Sequence, residues 1–166
     1  MKEPVRVACV QAEPVVLDRD ATIEKLAALT AEAAGAGARL VVFPETFIPA
    51  YPSSVWARAL AGWATPGAKE AFALFARESL EIPGPAADRL GDIAREHGVW
   101  LVTGASEVDP ERPSTLFNTL LYHSPEGTIV ERHRKLVPTN QSGWFGARAT
   151  AAACARSRPR WAASEG

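Results

Sequence analysis

Near the amino end the apolar residues fall in short unbroken runs separated by segments of helical spacing. Val5 to Ala12 is rich in β-branched residues, with Ala8 and Val10 set between Val5, Val7 and Cys9, which predicts a strand buried on both faces. After a loop around Pro14, Asp18 and Asp20 offer N-caps to a helix carrying Ile23, Leu26, Ala27, Thr30 and Ala34 on one side and stopped near Gly35 and Gly37. Leu40-Val41-Val42-Phe43 is a second buried strand that breaks at Pro44. The three together form a β-α-β unit, which implies a parallel pair and a right-handed crossover.

Residues 49–66 mix prolines, glycines and tryptophans in no clear period and read as a long excursion over the sheet edge, a kind of loop that often lines a site. Ala68 to Leu80 reads as helical, and Pro83-Gly84-Pro85 opens another helix with Leu90, Ile93, Ala94 and His97 on one face and Gly98 after it. Val99 to Thr103 is the next buried strand. Asp109-Pro110-Glu111-Arg112-Pro113-Ser114 reads as a loop, and Thr115 to His123 and Thr128 to Lys135 as a hairpin around the turn Pro125-Glu126-Gly127. The order of elements predicts an α/β fold with a mixed sheet.

Composition narrows the class. The chain has 166 residues, 47% hydrophobic and 22% charged, the profile of a globular domain with a core of its own. The net charge of -1 gives no basic field, so neither nucleic acid nor a membrane surface is an expected partner. Two cysteines, Cys9 and Cys154, make no disulfide framework, and His97, His123 and His133 have no metal spacing, so no metal is expected. Cys9 reads as a small core residue. The apolar run after Met1 is too short for a signal sequence and no segment reaches the roughly 20 apolar residues of a membrane span, so the expectation is a cytoplasmic protein.

Two charged groups stand at strand ends. Glu45 follows a buried strand at its carboxyl end, where open α/β sheets place ligand crevices. Lys135 ends the run Arg132-His133-Arg134-Lys135. By themselves these residues fit a solvated loop acid and a charged sheet edge as well as they fit a site.

The surrounding blocks decide between those readings. Phe43-Pro44-Glu45-Thr46-Phe47-Ile48-Pro49-Ala50-Tyr51-Pro52 and His133-Arg134-Lys135-Leu136-Val137-Pro138-Thr139-Asn140 resemble two signature blocks of the nitrilase branch of the carbon-nitrogen hydrolase superfamily. The strand from Val5 to Gln11 and Asn118 in the penultimate strand are similar to that family too, so the resemblance covers roughly residues 5–141. Ala50 departs from it, since nitrilases usually carry Gly before Tyr-Pro.

The resemblance implies part of an α-β-β-α sandwich and, for the parent family, hydrolysis of a nitrile to carboxylic acid and ammonia. It implies Glu45 as general base and Lys135 as stabiliser of the charge that develops on attack by a Cys thiolate, with no cofactor. The implied partners are a small-molecule nitrile or amide and further copies of the chain, because the family is homo-oligomeric. Tyr51 and Trp56, in the loop after Glu45, are candidates to wall the substrate pocket. Two further readings accompany this one: an amidase or carbamoylase of the same superfamily, and a non-catalytic protein that pairs with an intact homologue.

The family's nucleophile, in a Cys-Trp-Glu block about 30 or more residues beyond the Lys, has no counterpart. Cys154 lies only 19 residues past Lys135 in an Ala/Arg stretch, and neither cysteine is assigned the role. Residues 1–141 are therefore read as a partial hydrolase domain and residues 142–166 as a non-homologous tail, expected to be disordered, with Arg148, Arg156, Arg158 and Arg160 against Glu165. Back-translating this tail with GC-rich codons and shifting the frame gives a nitrilase-like E-R-L-V-W-G-A-G-D-G. The shifted frame restores a Glu at the place of Ser142, seven residues after Lys135, where the family carries a further active-site carboxylate. A shifted frame with truncation is thus expected, and with it an inactive chain.

Overall fold

The structure is a computed structural model and describes residues 4–52 and 66–137. In chain order the elements are β1 (Val7–Cys9), α1 (Arg19–Gly35), β2 (Leu40–Val42), α2 (Ala68–Glu78), β3 (Leu80–Glu81), α3 (Pro85–His97), β4 (Trp100–Asp109), β5 (Arg112–His123) and β6 (Ile129–Arg134). The sheet runs β1-β2-β4-β5-β6, with β3 paired to β4. Its β1-β2 and β2-β4 pairs are parallel and its β4-β5 and β5-β6 pairs antiparallel, a mixed α/β sheet as expected.

Local chemistry sets the helix ends. The Asp18 carboxylate caps α1 by accepting from the Ala21 amide at 2.9 Å, satisfying one of the donors a helix start leaves open. Pro85 opens α3, where a missing N–H costs nothing, and Gly98 closes it at φ 61°. Ile23, Leu26, Val41, Leu90, Ile93, Leu101 and Leu121 form one core between these two helices and one face of the sheet. On the same side of the sheet, fully buried Glu107 is held by Thr119 Oγ1 at 2.7 Å, by Arg134 through Nε at 3.1 Å and through Nη2, and by Arg132 Nη1 at 3.4 Å. Arg134 also lies 3.9 Å over the ring of Phe117. This carboxylate with its two guanidiniums joins β4, β5 and β6.

Three expectations are corrected. β1 is only three residues long and is not buried on both faces: Val7 is 48% exposed and Cys9 is exposed rather than a core residue. The reason is alternation: Ala8 packs on the core, while Val7 and Cys9, two residues apart, share the opposite face, which no layer among the described residues covers. Asp109 to Ser114 is no loop either. β4 and β5 run on to a tight turn in which the Asp109 carboxylate accepts from the Glu111 amide at 3.0 Å and from Arg112 at 2.9 and 3.1 Å. The helix expected from Ala68 to Leu80 stops at Glu78, and Leu80 begins β3 beside Glu107 of β4.

Candidate active site

Glu45 stands on an arch. The Phe43 amide donates to Val102 O at 2.8 Å and the Ile48 amide to Gly104 O at 3.3 Å. The donors are five residues apart and the acceptors two, so three extra residues are looped out over β4. The arch is closed by the Phe47 amide on Pro44 O at 3.3 Å, and Thr46 takes φ 46°, a left-handed value that β-branched residues rarely adopt. Pro44 ends the β2 ladder and the arch lifts Glu45 above the carboxyl end of the sheet.

The antiparallel strands bring the other groups to it. Asn118 of β5 lies opposite Ser106 of β4, and the Lys135 amide, just after β6, donates to Asn118 O at 2.8 Å. Lys135 Nζ then meets Glu45 Oε1 at 2.6 Å and Asn118 Nδ2 meets the same oxygen at 2.5 Å, across 90 and 73 residues of sequence. The Glu45 side chain is 43% exposed and that of Lys135 31%, so the pair is within reach of a small molecule.

Electrostatics keep the carboxylate charged. Partial burial works to raise the Glu45 pKa, but the hydrogen bonds from Lys135 and Asn118 and the ammonium charge outweigh it, and the value lies below the ordinary 4.5. At neutral pH Glu45 is therefore ionised. Among the described residues both donors end on Oε1, which leaves Oε2 as the oxygen able to take a proton.

The two residues expected to be catalytic are thus brought together. Tyr51 is exposed, six residues past Glu45, with no described contact to the pair, while Trp56 and Cys154 lie outside the described residues. Asn118 enters the site as a direct partner of Glu45, a role beyond its place in the family pattern. Its signal was an amide set in the mainly apolar run Leu116 to Leu121, where Thr119 is the other polar residue. No group of three or more His, Cys, Asp or Glu suited to a metal occurs among the described residues, nor does a helix long and apolar enough to cross a membrane.

Comparison with known proteins gives the family. The family model described as carbon-nitrogen hydrolase matches residues 6–150. A nitrilase of Pseudomonas syringae is 47% identical over 140 residues, covering 84% of this chain and 39% of that protein. Nitrilase 1 of Arabidopsis thaliana is 40% identical over 136 residues, covering 82% of this chain and 38% of its own length. The chain thus spans about two-fifths of the length of these curated relatives. Among solved structures, an amidase from Nesterenkonia sp. superposes with a TM-score of 0.62 at 22% identity, over 88% of this chain and 48% of that one, a likeness of fold. With the family match covering most of its length, this chain belongs to the carbon-nitrogen hydrolase family.

Proposed function

We propose that the site serves the hydrolysis of a small nitrile to its carboxylic acid and ammonia, with Glu45 as general base, Lys135 as electrostatic stabiliser and Asn118 as the amide that holds Glu45. The observation that carries this reading is the carboxylate fixed through Oε1 by Lys135 at 2.6 Å and Asn118 at 2.5 Å, with no partner on Oε2 among the described residues. A thiol attacking the nitrile carbon must lose its proton, and Oε2 can accept it. That proton passes to the nitrogen as the thioimidate forms, one water adds and gives its two protons to the nitrogen so that ammonia leaves and a thioester remains, and a second water cleaves the thioester to acid and free thiol. The Lys135 ammonium faces the charge that develops at the attacked carbon's substituent. Tyr51 and Trp56 are proposed to wall the nitrile's side chain.

The identities of 40% and 47% to proteins named nitrilases favour nitriles. An amidase is the second reading, favoured by the amidase structures that share the fold. We propose further that residues 142–166 are read out of frame, that the thiol belongs to sequence encoded beyond Gln141 in the other frame, and that the chain alone is inactive because neither Cys9 nor Cys154 supplies it. From the family resemblance we also propose a cytoplasmic homo-oligomer. Sequencing the gene from codon 141 past codon 166 tests the frame, with a Cys-Trp-Glu block in the alternative frame as the expected result. The frame-restored protein should release acid and ammonia from nitriles and leave amides untouched; turnover of amides alone overturns the nitrile reading.

A further inference from the structure

We infer that Gly104 is a positioning residue for the general base: the absence of a side chain there lets the Pro44-Glu45-Thr46 arch lie directly on β4, and this depth sets the reach of Glu45 to Lys135 and Asn118. The inference rests on the reading of Glu45 as the working carboxylate.

Gly104 sits inside a paired strand, opposite Leu120, and its backbone is not in the left-handed region, so conformational freedom does not explain a glycine here. Space does. A Cβ at this position would stand 2.7 Å from Glu45 Cα and 2.8 Å from Thr46 N, and closer still to Pro44 O. These are backbone atoms of the arch, with no flexible side chain to swing aside. An isolated glycine in a strand marks such close approach of another backbone. Ordinary van der Waals contact begins near 3.4 Å, so an alanine must lift Glu45 Cα by about 0.7 Å. Contacts of 2.5 and 2.6 Å at the carboxylate would lengthen past 3 Å if the side chain followed rigidly. The arch cannot slide away along the sheet, because the Phe43 amide pins one end to Val102 O and Ile48 pins the other between Gly104 O and the Ser106 amide, the latter at 2.7 Å. It can only rise.

A structural role alone would cost stability without touching Glu45, and a second tight glycine separates the two cases. A Cβ on Gly91 of α3 would run into the carbonyl oxygen of Gly127 in the β5-β6 turn. The test is the titration of the Glu45 carboxyl carbon by NMR in the full chain, for wild type, Gly104→Ala and Gly91→Ala, beside urea unfolding of each. Both variants should lose stability. Only Gly104→Ala should move the Glu45 midpoint, upward by about half a unit or more, as its two donors are drawn off. If Gly104→Ala does not fold, the same change is made in a Pro44→Gly background, where the arch can rise more freely, and compared with Pro44→Gly alone. A Glu45 midpoint unchanged by the alanine in the folded protein, or shifted equally by Gly91→Ala, overturns the inference. The titration needs no turnover, so failure of the chain or its frame-restored form to hydrolyse nitriles would count against the proposed function and leave this result standing.

Discussion

His123 should make the protein acid-sensitive well above the range where its carboxylates protonate. The imidazole is fully buried on β5, paired to Leu101 and Ile129, with its Cδ2 facing Gly91 of α3. Among the described residues neither ring nitrogen makes a well-aligned hydrogen bond, and the Ala87 backbone gives the ring only partial support. Burial penalises the charged ring, the Ala87 backbone and the Asp88 charge offset only part of that, and the pKa falls from 6.5 to about 4. The unfolded chain therefore takes up a proton near pH 6.5 that the folded chain refuses until about pH 4, so stability present above 6.5 is lost as pH falls through this window. Integrating between pH 7.5 and 5.0 gives a loss of about 2 kcal/mol, and roughly 3 kcal/mol by pH 4. With a urea slope of about 2 kcal/mol per molar, the midpoint should drop by about 1 M between pH 7.5 and 5.0. His123→Leu removes the titrating group, and its midpoint should fall far less over the same range, whatever its stability at pH 7.5. Equal losses in wild type and His123→Leu would refute the argument.

Lys135→Ala removes both a hydrogen bond and a positive charge from Glu45, so the Glu45 titration midpoint should rise, and Asn118→Ala should raise it less; NMR titration of the carboxyl carbon reads both. Glu107→Ala leaves Arg134, only 15% exposed, beside an empty cavity without its carboxylate, and should cost about 3–5 kcal/mol in urea unfolding, where a cost under about 1 kcal/mol would contradict the buried pairing. Asp18→Ala strips the cap of α1 and should cost about 1 kcal/mol, visible as a lower thermal midpoint, with Asp18→Asn nearly neutral.

What could be read from the sequence was whatever local chemistry fixes. The Asp18 cap, Pro85 and Gly98 around α3, and the Pro125 to Gly127 turn each act within a few residues, and each stands where the pattern put it. Glu45 and Lys135 were legible through the two long blocks around them. Non-local features were not. The Asp109 turn looked like a loop because prolines and charges interrupt its apolar pattern, while the carboxylate-to-Arg112 contacts that close it have no periodic signature. The exposure of Val7 and Cys9 depends on which layers cover the sheet, and apolar spacing alone does not report that. Asn118 and Gly104 gained meaning only once β4 and β5 were in register and the arch lay across them.

Glu45 is proposed as the working base of a carbon-nitrogen hydrolase site. Its most direct test is the rate of ammonia release from a nitrile by the frame-restored protein, wild type against Glu45→Gln, an isostere that keeps the size of the side chain and removes its charge. Loss of about 100-fold or more is the predicted result, the usual scale of a removed general base. Ammonia release within a few-fold of wild type in Glu45→Gln would contradict it.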